Sequence, residues 1–498
     1  MEVVTSITPL LTVLVSATGA CLILATGERH RNLRETWTII AAVIKFVLVV
    51  SLVPMVLKGT IVEYTIIELA PGLLLQLKVE PFGMIFALLA STLWIGTSFY
   101  SIGYMRGLKE HAQTRYFFCF AVCLSATMGI AFSANLITFL IFYEILTIAT
   151  YPLVMHNETE EAFLGSRKYL VYTLIAGVAI LFAIAMIYRM TGTLDFTPGG
   201  FLAGHGGSTA TLYFLFFLLI AGCGVKAGIM PFHEWLPTAM VAPTPVSALL
   251  HAVAVVKAGV FGCLRIILYV FGPELLHDTG LWLILAYVVS FTIIVSAMIA
   301  LAQDNLKRRL AFSTINNLAI IILGAAMLTK DCITGGMIHL MNHGFMKITL
   351  FFVAGAIFVK TRKKNVSELD GLGRQMPLTF VAFTIAALGL AGIPPACGFI
   401  SKWFLCLGFL EAKQLFFLGV LLASAMLDVA FFAPIIYNGF FKQPKPDVSP
   451  HFDEAPMLMV IPILICVGIS VLLCISPNAF VHVFDIARMA TMSILGAG

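Results

Sequence analysis

The residues of this sequence that could do chemistry are ionisable side chains lying in the middle of long apolar stretches. Three of them, His339, His343 and Lys347, are spaced four residues apart, which places them on one face of a helix over roughly 12 Å. Three titratable groups on one face of an otherwise apolar helix indicate a hydrated relay. The chemistry that such side chains offer is proton transfer rather than covalent catalysis. The full set is Glu144, Lys226, His251, Lys257, His339, His343, Lys347, Lys402 and Asp428.

Their position inside apolar helices is what makes these residues functional candidates. Inserting an ionisable residue at the centre of a membrane helix costs about 2.5–3.5 kcal/mol on translocon scales. Lysine is not a ligand for Na⁺ or K⁺, but a desolvated lysine can exchange a proton, and a carboxylate about 4 Å away opposes its release by roughly 4 kcal/mol. Moving Glu144 relative to Lys226 would therefore switch this lysine between holding and releasing a proton. Lys257, the histidines and Lys402 would then pass the charge through water.

Motifs for other kinds of chemistry do not appear. His233-Glu234-Trp235 has no second histidine four residues after the first, so it is not a zinc-protease helix. The ten cysteines are scattered along apolar stretches; Cys119 and Cys123 lie four apart, but two thiols alone make a poor metal site. No glycine-rich phosphate loop follows a strand, and we expect no strands. We therefore expect no catalytic residue, no bound cofactor and no metal in this chain.

The elements that position the candidate residues follow from composition. The 498 residues are 60% hydrophobic and only 11% charged, whereas soluble domains carry about 25% charged residues. This excludes a soluble enzyme, a disordered protein and a secreted disulfide scaffold. The net charge is +5, but the basic residues lie in short separate loops rather than on one continuous face, so this charge does not indicate nucleic-acid binding. An all-α polytopic membrane protein is predicted, with about fourteen spans centred near residues 14, 47, 90, 123, 145, 179, 220, 258, 291, 319, 346, 394, 427 and 467.

The distribution of basic residues predicts an orientation. With the N-terminus outside, the inner loops hold 18 of the 30 Lys and Arg residues and the outer segments hold 6. Both termini are then expected on the outer side. Arg265 is expected to reach the outer interface by extending its side chain, and Lys45 receives no predicted role.

Two predicted helices are interrupted by glycine and proline near a lysine. Residues 222–231 contain three glycines and a proline around Lys226, and residues 392–401 contain two glycines and two prolines just before Lys402. Broken helices at membrane depth are tolerated where they line a cavity or are buried in protein. Two such helices in corresponding positions are the sequence signature of paired structural repeats around a transport path.

With these residues in view, the chain resembles the antiporter-like subunits shared by respiratory complex I, membrane-bound nickel–iron hydrogenases and Mrp-type Na⁺/H⁺ antiporters. The resemblance covers nearly the whole chain. Its most specific segments are Phe142-Tyr-Glu144, Lys226-Ala-Gly-Ile-Met-Pro-Phe-His-Glu-Trp-Leu-Pro237, Ala242-Pro-Thr-Pro-Val-Ser-Ala-Leu-Leu-His251, Asp304-Asn-Leu-Lys-Arg-Arg-Leu-Ala-Phe-Ser313 and His339-Leu-Met-Asn-His343.

The resemblance implies a fold and a role for most of the candidate residues. The fold is a pair of inverted five-helix repeats with helices 7 and 12 broken: residues 1–104 hold helices 1–3, 113–271 the first repeat, 279–441 the second, and 442–498 helix 14 and a tail. By position, Glu144 matches the family's helix-5 glutamate, Lys226 its broken-helix-7 lysine and Lys257 its helix-8 connecting lysine. The stripe on helix 11 matches the family's relay, and Lys402 its helix-12 terminal group. Asp428 matches no family role.

Within this family, the chain is most similar to the branch that holds the D-type Mrp proteins and the hydrogenase subunits. The features that indicate this are Lys402 and the segment Tyr151-Pro-Leu-Val-Met-His156. The main hypothesis is a proton-translocating component of a multisubunit bioenergetic complex, driven by redox chemistry in partner subunits or by Na⁺ transport. Its partners would be other antiporter-like and small membrane subunits and hydrophilic iron–sulfur subunits, in a bacterial or archaeal plasma membrane. Two alternatives stay open: a D-type component of a Mrp antiporter with no redox arm, and a structural membrane scaffold.

Overall fold

The computed structural model describes residues 2–205, 207–446, 448–449, 451–479 and 481–496, and it is built mainly of helices. Thirteen helices among these residues are long and apolar enough to cross a membrane, which confirms the polytopic all-α prediction. The helices, numbered after the predicted spans, are α1 Thr8–Thr26, α2 Arg31–Leu57, α3 Pro81–Leu108, α4 Gln113–Ala131, α5 Leu136–Val154, α6 Glu160–Thr191, α7a Thr209–Ala227, α7b Trp235–Thr238, α8 Thr244–Phe271, α9 Leu281–Ala302, α10 Leu306–Ala326, α11 Lys330–Thr361, α12a Pro377–Ala391, α12b Gly398–Glu411, α13 Leu415–Phe440, α14 Met457–Ile475 and α15 Val483–Ile494.

The two predicted interruptions are present. Helix α7a ends at Ala227 and is capped by Gly228, whose φ of 76° is the left-handed conformation that glycine adopts without a steric cost. Helix α7b follows after a turn. The twelfth predicted span consists of two helices of 15 and 14 residues, separated at Gly392, whose φ is 89°. Lys226 lies in the last turn of α7a and Lys402 in the first turns of α12b. The predicted division into two five-helix repeats stays a prediction.

The expectation of no strands is wrong. Strands β1 (Val3–Thr5), β2 (Ile61–Ala70) and β3 (Leu73–Val79) form a three-stranded sheet, with β2 and β3 antiparallel and β1 parallel to β2. The hairpin lies between two apolar spans, a position that by itself indicates only a connection. It nevertheless carries β-branched residues and a Pro-Gly turn at Pro71-Gly72, which together favour two paired strands.

The core of the molecule is centred on α8, α10 and α11, of which α8 and α11 carry candidate residues. Helices α8 and α10 are buried along their whole apolar windows, whereas only 39% of the window is buried in α1, α2, α6 and α13. Helix α8 is irregular, with π-helical turns over Leu249–Val253 and Ile266–Phe271. His251 lies in the first of these turns, and insertions of this kind in helices are frequent at functional sites. Helix α11 packs against α10, α12a, α12b and α3, so its histidine stripe faces protein.

Candidate functional site: a row of buried ionisable residues

Glu144 and Lys226 lie on the neighbouring helices α5 and α7a. The Lys226 ammonium donates a hydrogen bond to the backbone carbonyl of Tyr143 at 2.6 Å and lies 3.2 Å from the centroid of its ring. Lys226 is fully buried, and Glu144 is half-buried beside α6. Neither carboxylate oxygen of Glu144 has a hydrogen-bond partner among the described residues, although the charges of the two side chains interact. The lysine is therefore held by the residue next to the glutamate, and the glutamate is unbonded.

Space for the Glu144 carboxylate comes from a glycine on α6. A Cβ atom added at Gly177 would lie 2.1 Å from Glu144 Oε1, closer than any real contact. A side chain at position 177 would therefore displace the carboxylate. The sequence contains Gly177 in an ordinary apolar helix, and nothing in its immediate neighbourhood indicates this contact.

Lys257 on α8 connects to the histidine stripe on α11. Its ammonium donates to the carbonyl of Leu340 at 2.8 Å and to Nδ1 of His343 at 2.9 Å. Lys257 and His343 are both fully buried. On its other side α8 packs closely on α7a, since a Cβ at Gly259 would lie 2.3 Å from the backbone nitrogen of Ala227. Lys226 and Lys257 are thus on adjacent helices, but no hydrogen bond joins them in the described part of the chain.

His339 connects the stripe to the second broken helix. Its Nδ1 lies 2.7 Å from the hydroxyl of Ser401 on α12b, and its Nε2 donates to the side-chain carbonyl of Asn317 on α10 at 3.2 Å. The rings of His339 and His343 have their centroids 6.2 Å apart. Ser401 directly precedes Lys402, so the stripe ends beside that lysine.

Lys402 forms an ion pair with Asp428 of α13. Its ammonium lies 3.1 Å from Asp428 Oδ2, and both side chains are buried. The other oxygen of Asp428 has no hydrogen-bond partner within the described residues. Asp428, which matched no position of the resembling family, is therefore the counter-ion of Lys402.

Two predicted residues lie beside this row rather than in it. Lys347 donates to the hydroxyl of Ser313 at 2.9 Å and contacts the carbonyl of Leu310 on α10. His251 is fully buried with both ring nitrogens unpartnered among the described residues, and its ring stacks on Phe351 with centroids 4.7 Å apart. The structure therefore places these two residues near the row without bonding them to it.

The sequence did not predict several of the groups that these ionisable side chains contact, namely Ser401, Asn317, Ser313 and the carbonyl of Tyr143. Serine and asparagine are small and uncharged, so their presence in apolar helices gives a weaker signal than a lysine does. Two adjacent asparagines, Asn316 and Asn317, lie in the middle of the span Leu306–Ala326, and this polar pair could have indicated that α10 contacts the ionisable residues.

We expected the Arg265 side chain to extend to the outer interface, and this expectation is wrong: the side chain is buried. Its guanidinium forms an ion pair with Glu80 at the start of α3 and is surrounded by aromatic rings. A guanidinium can satisfy its charge inside the protein when a carboxylate and aromatic faces are available.

Lys45 on α2 donates to the carbonyl of Leu124 at 2.8 Å and lies over the ring of Trp94, so it fixes α2 to α3 and α4.

Comparison with known proteins identifies the family. Residues 133–427 match the family described as NADH:quinone oxidoreductase/Mrp antiporter, TM. The match covers more than half of the chain, and the chain therefore belongs to this family of antiporter-like membrane subunits.

Individual relatives come from both branches of the family. The chain is 28% identical over 437 residues to NADH-quinone oxidoreductase subunit N of Desulforudis audaxviator, covering 85% of this chain and 86% of that protein. It is 28% identical over 475 residues to the putative antiporter subunit mnhA2 of Staphylococcus haemolyticus, covering 89% of this chain. The chain spans 58% of the length of that second relative.

Two solved structures share the fold. One is that of the Mrp complex from Dietzia sp. DQ12-45-1b, with a TM-score of 0.87, 20% identity and coverage of 99% of this chain and 98% of the matched one. The other is that of the membrane-bound sulfane sulfur reductase, an archaeal respiratory membrane complex, with a TM-score of 0.88, 22% identity and coverage of 98% of each chain.

Proposed function

We propose that this member of the NADH:quinone oxidoreductase/Mrp antiporter family translocates protons as one component of a multisubunit bioenergetic membrane complex. The redox chemistry that drives the transfer would take place in partner subunits, because this chain has the proton-transfer groups and we expect no cofactor in it. The transported ion is H⁺, and its movement is coupled to partner redox reactions or to Na⁺ transport.

The observation that carries this proposal is the connected set of buried groups on α8, α11, α12b and α13. Lys257 reaches His343, His339 reaches Ser401, and Lys402 next to that serine is paired with Asp428. Burying ionisable groups is costly unless they are paired or hydrogen-bonded. Groups that contact one another across four helices support a relay better than they support a set of isolated helix contacts.

In the proposed route Glu144 and Lys226 form the first pair and Lys402 with Asp428 the last. Lys257, His343 and His339 carry the proton between them, and water bridges the gap between Lys226 and Lys257. Lys347 and His251 serve as side branches through which the row exchanges protons with one membrane face.

The surface at the second break supports the presence of partner subunits. Between α12a and α12b, Ile393, Pro394 and Pro395 are exposed, whereas Ala396 and Cys397 are buried. Irregular backbone at membrane depth is not tolerated against lipid and must be covered by protein or line a water-filled cavity. A neighbouring membrane protein of the complex would provide this cover next to Lys402. We place the complex in a bacterial or archaeal plasma membrane, with both termini on the outer side, as the Lys and Arg distribution predicts.

Proton transport by the intact complex in sealed vesicles tests the proposal. Glu144→Gln keeps the size of the side chain and removes its charge; we expect a normally assembled complex whose proton transport falls at least tenfold. Glu161→Gln is the matched control, because the Glu161 carboxylate lies at the surface with 70% of its side chain exposed. Transport that survives Glu144→Gln would refute the proposal and favour a structural scaffold.

The second candidate is a component of a Mrp antiporter, for which the sequence predicts the D type. The relation to the putative antiporter subunit mnhA2 and the fold shared with a chain of a Mrp complex favour an antiporter component without distinguishing its type. Mass spectrometry of the proteins that co-purify with the full chain separates the two. Hydrogenase-like or quinone-reducing subunits support the first candidate. Their absence, with proton transport that requires Na⁺ on the opposite side, supports the second.

A further inference from the structure

Three metal-ligand side chains meet where two connections come together, away from the row of buried lysines. Glu110 and His111 belong to the connection between α3 and α4, and His156 belongs to the connection between α5 and α6. One donor atom from each of the three lies within 4.8 Å of the other two. The imidazole rings of His111 and His156 are stacked, with centroids 4.9 Å apart and 24° between their planes.

His156 provides an independent indication of a ligand. Its exposed fraction is 0%, and neither Nδ1 nor Nε2 has a hydrogen-bond partner among the residues that the structure describes. A buried polar side chain normally has a partner, because leaving it without one costs free energy. A buried imidazole whose two ring nitrogens have no described partner offers a lone pair that a metal ion can bind.

We propose that Glu110, His111 and His156 form a binding site for a divalent transition-metal ion of the zinc class. Two imidazole nitrogens and one carboxylate oxygen are a donor set that zinc accepts, with a fourth position for water or another ligand. Metal–nitrogen bonds of about 2.0–2.1 Å in a tetrahedron place donor atoms about 3.3 Å apart. The donor atoms now lie up to 4.8 Å apart, so they must move closer to bind one ion. Small rotations of the Glu110 side chain and of the His111 side chain, which is 48% exposed, would achieve this while the buried His156 stays in place.

The surroundings are compatible with a cation. Arg115 is nearby and would repel it, but its guanidinium is paired with the carboxylate of Glu158 at 2.6 Å. The same carboxylate lies 3.6 Å from His111 Nε2 and places negative charge beside the site. The spacing in the sequence does not show the site, because His156 is brought to the other two residues by the packing of α4 against α5. A metal here would fasten the end of α5, the helix that carries Glu144, to the start of α4.

Titration of the purified full chain with Co²⁺ tests this site, because cobalt bound by nitrogen and oxygen in a tetrahedron gives an intense visible absorption band, and Zn²⁺ should displace it. We expect one such Co²⁺ per chain. His111→Ala and Glu110→Gln change side chains that are 48% and 21% exposed, so the chain should fold. Each change should raise the dissociation constant at least tenfold. His277→Ala is the matched control, since His277 is an exposed histidine 3.8 Å from the carboxylate of Asp278 and should leave binding unchanged.

Two outcomes would overturn the proposal. One is the absence of a tetrahedral Co²⁺ band that Zn²⁺ displaces from the unaltered chain. The other is binding that His111→Ala and Glu110→Gln weaken no more than His277→Ala does, which would mean that the metal is held elsewhere. The readout is independent of proton transport, so it tests this site separately from the proposed function.

Discussion

Removing either member of the Lys402–Asp428 pair should cost several kcal/mol of folding free energy. Two unit charges 3.1 Å apart attract by about 5 kcal/mol at an effective dielectric constant near 20. Breaking such a pair inside a protein leaves one buried charge uncompensated, which costs about 3–5 kcal/mol. We therefore expect Lys402→Met and Asp428→Leu, made singly, each to destabilise the chain by that amount. The double variant Lys402→Met/Asp428→Leu should lose far less, since apolar side chains of similar volume replace the pair.

The assay is an unfolding titration of the full chain in mixed micelles, run on both single variants and the double variant. We expect a coupling free energy of about 3 kcal/mol between the two positions. The control is the pair formed by Lys442 and Asp370, whose charges lie 3.3 Å apart but whose lysine side chain is 43% exposed. Pairs at the surface contribute about 0–1 kcal/mol. A coupling free energy between positions 402 and 428 as small as that of the control would refute this reasoning.

The double variant also separates folding from function. A loss of transport in Lys402→Met alone would not separate the two, because Asp428 stays buried without its counter-ion and the protein is less stable. Lys402→Met/Asp428→Leu keeps the chain folded and removes the last proton-transfer group. We expect the complex that contains it to assemble and to transport protons at less than a tenth of the normal rate. Normal transport by this variant would exclude Lys402 and Asp428 from the route.

Two further predictions concern single side chains. Gly177→Ala should lower proton transport severalfold without preventing assembly, because the added Cβ displaces the Glu144 carboxylate. Gly468→Ala is the control in the same vesicle assay, since no atom lies within 4 Å of the Cβ added there. In the metal-free chain His156 should titrate by NMR with a midpoint near pH 4, since burial, His111 and Arg115 lower its pKa from 6.5 to about 4, and Arg115→Ala should raise that midpoint. Between pH 6.5 and 4 the unfolded chain binds more protons at this residue than the folded chain does, so acidification should destabilise the fold.

The sequence predicted the ionisable residues but not their uncharged partners. A lysine or glutamate inside an apolar span is conspicuous because its cost must be offset, and Lys226, Lys257 and Lys402 stand out for that reason. Ser401 and Asn317 carry no such cost, so their contacts with His339 become visible only when α10, α11 and α12b are packed together.

The errors have a common physical origin. A long side chain such as that of Arg265 can extend out of the membrane, and only the folded chain brings the carboxylate of Glu80, distant in the sequence, to its guanidinium. The hairpin formed by β2 and β3 is flanked by apolar runs of helical length, whose signal is stronger than that of two short strands. Both features depend on contacts between segments, which local patterns do not contain.

The two broken helices present their lysines in different ways. Lys402 is held directly by the Asp428 carboxylate, so its position is fixed by an ion pair. Lys226 is held by a backbone carbonyl, and Glu144 beside it has no hydrogen bond to any described residue. Moving the Glu144 carboxylate weakens its charge interaction with Lys226, whereas moving Asp428 also breaks the hydrogen bond that joins its carboxylate to the Lys402 ammonium. Movement that alters charge pairing therefore costs less at Glu144, where α5 meets α6, than at the opposite end of the row.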